Sequence, residues 1–315
     1  MRHAGRGVLC AMALALCWAT PTPTSAQRIF AGGEVSETAI LAALSTAHPD
    51  AFRPVGTTAV VLQVQLTGDI DMAFKPESHL HPHGWLAEVA AFRIGRELGF
   101  DNVPPAALRD IERGRLRRRL HDDHIFDDVE SDCVVRGSII RGAAIYWVPG
   151  LTSSDLDSPD GVRRFRGWLS MGGAIPAEAS VTARDLSNMI LFDYLIGNRD
   201  RWSGGNVRVV AGDRVVIRDH NLAFPRRLDE AGHRRMLEHV MAIRRFSRST
   251  LAALAALDES SLSAALEYDD EESGQTRTML DAARIAGVLD RRDALVSYIG
   301  ALIAEHGEAD VLFFD

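Results

Sequence analysis

From Thr57 to Lys75 the side chains change character at nearly every residue. Val60, Leu62, Val64 and Leu66 alternate with Val61, Gln63 and Gln65. After Thr67-Gly68-Asp69, a second run sets Ile70, Met72 and Phe74 against Asp71, Ala73 and Lys75. A period of two predicts strands with two unlike faces. The segment therefore reads as a β-hairpin with Lys75 near the end of its second strand, facing opposite to Phe74 and stopped by Pro76. The period then lengthens. Leu86, Val89, Ala90, Ile94 and Leu98 recur at helical spacing from about Gly84 to Leu98. Glu88, Ala91, Gly95 and Gly99 form an adjoining strip, small apart from the glutamate, where another element can come close and meet the Glu88 carboxylate. Residues 107–124, dense in charge, read as a solvated helix and its loop. Val134 to Val148 is β-like, and Pro149-Gly150 with the Ser/Asp-rich 152–160 stretch reads as a linker.

Asp185 to Ile196 reads as a core helix, with Thr182 and Asp185 as a capping box and Asp193 as the one charge in its apolar second half. A second hairpin follows, Asn206 to Val210 and Arg214 to Arg218, turning at Ala211-Gly212-Asp213. Residues 228–306 are largely helical, interrupted by a polar loop from Asp269 to Thr278. This order predicts an α+β chain of two lobes: a small β-rich lobe with one long helix at 27–150, and a larger, mostly helical lobe at 151–315.

Composition adds a compartment. Met1 to Arg6 carry two arginines and no acid, Gly7 to Ala19 are mostly apolar, and Thr24-Ser25-Ala26 offers a small-residue cleavage site. Residues 1–26 thus read as a signal peptide, and the mature protein as exported, periplasmic or secreted, without stable membrane insertion. Cys10 and Cys17 leave with that segment, so Cys133 has no intramolecular disulfide partner. The whole chain carries a net charge of −8, and losing Arg2 and Arg6 makes it more acidic, which argues against a general nucleic-acid binder. Lys75 is the single lysine among 35 Lys and Arg residues. In so Arg-rich a chain, that points to a place where a compact three-donor ammonium fits and a planar guanidinium does not.

The second hairpin makes a geometric prediction. A tight turn at 211–213 pairs Val210 with Arg214 and Val209 with Val215, and so on back to Asn206 beside Arg218. Asn206 and Asp219 then sit together at its open end, fed by the loop that holds Asp200. Such oxygen donors suit Mg²⁺ or Mn²⁺ shared with substrate phosphates. His79, His81 and His83 alternate as zinc ligands on a strand would, but Pro82 breaks that strand and leaves a histidine loop near the cleft entrance. No G-x-S-x-G, H-E-x-x-H or Cys/His framework is present.

Ala73-Phe74-Lys75-Pro76, Glu88-Val89-Ala90-Ala91-Phe92, Leu98-Gly99-Phe100 and Val103-Pro104-Pro105 resemble the amino-terminal lobe of the secretory-pathway kinases related to Golgi casein kinase. Phe192 to Arg201 is similar to the catalytic segment of the same family. Asp219-His220-Asn221-Leu222-Ala223-Phe224-Pro225 resembles the metal-binding segment of phosphatidylinositol 4-kinases, in the related phosphatidylinositol 3-/4-kinase-like group. The resemblance spans about residues 57–225 and implies a bilobal kinase-like fold that uses ATP with Mg²⁺ or Mn²⁺. Carried over, it implies Lys75 on the nucleotide phosphates and Glu88 holding Lys75 or organising the metal-phosphate cluster. Asp200 would take or orient the proton of the acceptor hydroxyl, with Asn206 and Asp219 on the metal. The expected activity is γ-phosphate transfer to a hydroxyl, with protein Ser/Thr the leading acceptor and glycan or lipid the others.

There are departures. No G-x-G-x-x-G precedes Lys75, so Gly68 is the candidate for a shorter turn. Arg201-Trp202 stands where relatives have Arg-His, and Asn206 is sixth after Asp200 where the family has its ligand fifth. His220-Asn221 replaces Asn-Gly. Two other readings share the cleft: a pseudokinase that binds nucleotide without transfer, and a nucleotidyltransferase that binds ATP in another orientation.

Overall fold

The computed structural model describes residues 28–31, 33–55, 59–120, 122–202, 205–270 and 272–315. The expected signal segment lies outside these residues, as do Ser203 and Gly204 of the loop before Asn206. Helix α1 (Glu37–Thr46) leads into β1 (Pro49–Pro54), β2 (Leu62–Leu66) and β3 (Asp71–Pro76). There follow α2 (Gly84–Glu97), β4 (Ala106–Glu112), α3 (Arg113–Leu120), α4 (Asp123–Asp132), β5 (Val135–Arg136) and β6 (Ile139–Tyr146). The strands form one antiparallel sheet in the order β1-β2-β3-β6-β4, with β5 added to β6.

The register obeys the alternation. Leu62 faces Phe74 and Val64 faces Met72 across β2 and β3, so their fully buried side chains share one face. That face packs with α1, α3 and α4 in a single apolar cluster. On β3, burial alternates so that Asp71, Ala73 and Lys75 are only half-buried. The small strip on α2 does permit close approach: a Cβ on Gly95 would stand 2.9 Å from Val103 Cγ2.

The second half of the chain holds β7 (Thr152–Ser153), α5 (Pro159–Trp168), α6 (Ser180–Ile196), β8 (Arg208–Val210) and β9 (Arg214–Val216). After these come α7 (Glu230–Met241), α8 (Arg248–Ala256), α9 (Glu259–Leu266), β10 (Glu267–Asp270), β11 (Gln275–Thr278), α10 (Ala282–His306) and α11 (Glu308–Val311). The second half of α6, Met189 to Ile196, is buried throughout, and with α2 and the later helices it makes the larger core. The molecule is α+β, a small sheet-based lobe joined to a larger helical one. Among the described residues no helix is long and apolar enough to cross a membrane.

Four sequence expectations need correction. Residues 107–112 belong to β4 and not to a solvated helix, although α3 and α4 do follow. One of their charges serves a distant element: Arg109 donates to Leu44 O and Ala47 O, carbonyls at the end of α1. The 152–160 stretch is more than a linker, since Thr152 and Ser153 pair with Val209 and Arg208. Ser158 then caps α5, accepting from Gly161 N at 3.0 Å, with Pro159 in the first turn. Thr182 and Asp185 form no capping box, because α6 already starts at Ser180. They anchor the second hairpin instead: Thr182 Oγ1 donates to Asp213 O at 2.9 Å, and Asp185 accepts from Arg214 Nε at 2.8 Å. The polar 269–278 stretch is the β10–β11 hairpin, hidden because every residue of β11 is exposed and polar.

Candidate active site

The second hairpin has the expected register, with Val210 opposite Arg214, Val209 opposite Val215 and Arg208 opposite Val216. Its ladder is one element of a device that the sequence did not reveal. Arg201, buried completely, sits behind the open end of the hairpin. Its Nε and Nη2 donate to the two carboxylate oxygens of Asp193 at 2.9 and 3.0 Å. Its Nη1 donates to Asn206 O at 3.3 Å and also to Arg218 O. One guanidinium thus fixes both arms of the hairpin relative to α6. Asp193 is the signal that was available: a carboxylate inside an otherwise apolar helix demands a buried partner.

Asn198 completes this frame. Its Nδ2 donates to Asp193 Oδ1 at 3.3 Å and to Asp219 O at 3.2 Å, while its Oδ1 accepts from Asp200 N at 3.3 Å. Gly197 ends α6 in the left-handed region at φ 70°, which turns the chain toward Asp200. Asp219 itself adopts φ 65°. Aspartate tolerates that region better than most residues, and the following turn closes with Ala223 N on His220 O at 2.8 Å.

Lys75 reaches this place from the opposite side. Its Nζ donates to Glu88 Oε1 at 2.5 Å and to Asp219 Oδ1 at 2.7 Å. Glu88, 3% exposed on α2, also accepts from His220 N at 3.0 Å, and His220 Nδ1 lies 3.3 Å from its second oxygen. The departure from the family pattern at His220 therefore holds the glutamate. Burial alone depresses the Lys75 ammonium, but Glu88 and then Asp219 outweigh it and raise its pKa. Burial likewise works against the Glu88 carboxylate, yet Lys75 and His220 hold it well below the usual range. Asp219 is lowered as well: burial opposes its charge, and Lys75 overcomes that opposition. Both carboxylates are thus ionised beside a charged lysine.

Asp200 and Asn206 line the same cleft as this triad, and Asn206 Nδ2 donates to Asp200 O at 3.0 Å and to Asp200 Oδ2 at 3.3 Å. All five expected site residues line one cleft of about 1060 Å³ between the sheet and the hairpin end. Ala73, Val61, Ile145 and Val148 make one part of it apolar, while Lys75, Asp200, Asn206 and Asp219 make the other charged. His81 also lines it, as the histidine loop suggested. The chain connecting β1 to β2 contributes Val55, Ala59 and Val61, and Gly68 contributes nothing, so the shorter turn expected at Gly68 is not at the cleft. Trp202 is stacked between His239, with ring centres 4.6 Å apart, and Phe165, at 5.5 Å. It faces a separate cavity of about 350 Å³ that shares Asp200.

The donor set suits a cation held jointly with phosphates. Among the described residues no three His, Cys, Asp or Glu side chains cluster into a self-sufficient metal cage. One carboxylate and one amide, from Asp219 and Asn206, are what a hard divalent ion needs when phosphate oxygens and water complete its shell.

No family model matches the chain, and no curated protein does either. Solved structures do. The hydra Fam20 protein with sugar aligns over 90% of this chain and 94% of its own, with TM-score 0.64 and 19% identity. The Golgi casein kinase with Mn/ADP bound aligns over 88% of this chain and 78% of its own, with TM-score 0.60 and 18% identity. Another structure of the Golgi casein kinase gives TM-score 0.57 and 17% identity over the same shares. At such identities the likeness is one of fold, and the fold of this chain is that of the atypical, Golgi casein kinase-related kinases.

Proposed function

We propose that the protein is an exported, metal-dependent ATP phosphotransferase, its amino-terminal lobe (27–150) and carboxy-terminal lobe (151–315) closing on the nucleotide. One observation carries this reading. Lys75 is ion-paired with both Glu88 and Asp219, while Asp200 and Asn206, hydrogen-bonded to each other, line the same cleft. The apolar part of the cleft suits the base, and the charged part suits the phosphates. In this reading Lys75, held by Glu88, contacts the phosphate chain. At about 4 Å and an effective dielectric near 20, one such charge pair is worth about 4 kcal/mol. Asn206 and Asp219 would hold Mg²⁺ or Mn²⁺, which would supply charge neutralisation and alignment to the phosphates. The Mn/ADP complex of the Golgi casein kinase supports both ligands by fold analogy.

Asp200 lies where the acceptor arrives. It takes the hydroxyl proton as the acceptor oxygen bonds to the γ-phosphorus, the bond to the bridging oxygen breaks, and ADP leaves with that electron pair. The names of the neighbours, a casein kinase and a protein with bound sugar, make protein Ser/Thr the first acceptor to test and a glycan the second. Trp202 favours a second reading without transfer. Where relatives carry histidine, this tryptophan is stacked between His239 and Phe165 and does not line the nucleotide cleft, and its indole offers no acid–base group.

The test is ATP labelled at the α or the γ phosphate, with Mn²⁺ or Mg²⁺, casein and a glycan mixture, and Asp219→Ala as control. Transfer of γ label that the variant loses supports a kinase. Transfer of α label makes the protein a nucleotidyltransferase. ATP binding through Lys75 without transfer makes it a pseudokinase.

A further inference from the structure

The hairpin that supplies Asn206 and Asp219 also presents an arginine whose guanidinium is paired only at long range and makes no hydrogen bond among the described residues. Directly opposed residues in an antiparallel ladder share a face, and so do residues two apart on one strand. Arg208 lies opposite Val216. Two positions further on each arm stand Asn206 and Arg218, whose carbonyls converge on Arg201 Nη1. Asn206, Arg208 and Arg218 therefore share one face of the hairpin, and all three line the cleft. Arg208 is spent on the hairpin itself, donating from Nε to Gly205 O at 2.9 Å and to Ser153 Oγ. Arg218 is not. Its guanidinium is one-third exposed and makes no hydrogen bond among the described residues, and its nearest carboxylate oxygen, Asp219 Oδ2, is 3.7 Å away.

A guanidinium offers five N–H donors in a fork that matches two phosphate oxygens. Held beside Asp219 with those donors unused, it is complementary to an anion that enters the cleft. Lys75 is already shared by Glu88 and Asp219, so it leaves the outer oxygens of a phosphate chain uncovered. Asn206 touches Asp200, so if Asp200 receives the acceptor as proposed above, this hairpin end stands beside the phosphate that undergoes transfer. We propose that Arg218 binds the terminal phosphate of the nucleotide and neutralises its charge during transfer. This rests on the nucleotide-binding reading above.

The experiment compares Mn²⁺-ATP with Mn²⁺-ADP binding by calorimetry for the wild type, Arg218→Ala, Arg218→Lys and Asp219→Ala. Turnover is measured in parallel wherever transfer is detectable. If Arg218 holds the terminal phosphate, the wild type binds ATP better than ADP by about tenfold or more, and Arg218→Ala erases that preference while keeping ADP affinity. Arg218→Lys, which keeps the charge but not the fork, restores part of it. Turnover falls by about 10²-fold or more in Arg218→Ala, in the direction expected for an arginine at a transferring phosphoryl group. A preference for ATP that survives Arg218→Ala overturns the assignment and leaves the nucleotide-binding reading intact. Failure of the wild type to bind either nucleotide overturns both. A thermal melt of Arg218→Ala close to wild type separates these outcomes from misfolding, because only the backbone of Arg218 is used by Arg201.

Discussion

At the scale of single residues, the site is a balance of opposed charges whose signs follow from burial. Glu88 is buried and ionised because Lys75 and His220 stand against it. Its folded pKa lies below its unfolded value, so its contribution to stability is complete above the ordinary carboxylate pKa of about 4.3 and is lost as pH falls toward the folded value. Glu88→Gln is therefore expected to flatten the acid limb of the stability–pH curve followed by urea denaturation. At neutral pH it should cost about 1–3 kcal/mol, since the buried Lys75 loses one of its two carboxylate partners and keeps Asp219. Lys75→Arg tests the single lysine. A planar guanidinium cannot repeat two short contacts from one nitrogen to Glu88 Oε1 and Asp219 Oδ1. ATP affinity, read by calorimetry, should fall by about tenfold or more even though the charge is kept.

Among the elements, what places the site is the close passage of backbones. Strand β6 runs beside β3 with Gly142 opposite Pro76. A Cβ on Gly142 would stand 2.5 Å from Lys75 O and 2.6 Å from Phe74 Cζ. Gly142→Ala should push β3 away from β6, cost about 1–3 kcal/mol in urea denaturation and weaken nucleotide binding, because β3 carries Lys75. The corresponding joint in the larger lobe is Arg201 on Asp193. Arg201→Leu leaves a buried carboxylate unpaired and should destabilise by about 3–5 kcal/mol. The milder Arg201→Lys should raise the Mn²⁺ concentration needed for ATP binding, since one ammonium cannot grip Asp193 and both hairpin carbonyls together.

Across the whole molecule, the lobes are joined by more than the chain connection after β6. Arg141 on β6 donates to Asp270 Oδ1 at the end of β10 at 2.5 Å, and Arg277 lies 3.1 Å from the other oxygen of that buried carboxylate. Arg93 on α2 donates to Ala265 O and Glu267 O, at 3.1 and 2.6 Å, where α9 passes into β10. The β10–β11 hairpin is thus an electrostatic clasp between the large lobe and the sheet. Asp270→Asn is expected to increase hydrogen exchange in β6 and β10 together, while leaving the middle of α6 protected. Exchange that rises in β10 alone would show that the clasp does not bear on the sheet.

The periodic elements were legible in the sequence because alternation and helical spacing are local consequences of burying one face. The β2–β3 hairpin, α2, the buried second half of α6 and the register of β8 against β9 all follow from residues a few positions apart. So did the convergence of Asn206 and Asp219, which needs only a tight turn and a period of two. The edge strand β4 and the exposed β11 were not legible, because Arg109, Asp110 and Glu112 interrupt the apolar positions of β4 and β11 is wholly polar. Arg109 earns its place from the end of α1, and Asp270 from Arg141, partners far away in sequence. The same distance hid Arg201 and Arg218. Whether an arginine lies at the surface, clamps a hairpin or waits beside a carboxylate in a cleft depends on what the fold brings to it. One sequence among 34 arginines looks the same in all three cases. Local pattern determined which segments fold into strands and helices and which residues could meet at one hairpin end. Only the tertiary structure decided which charges are paired and which are left facing the cleft, because pairing is set by long-range packing and desolvation.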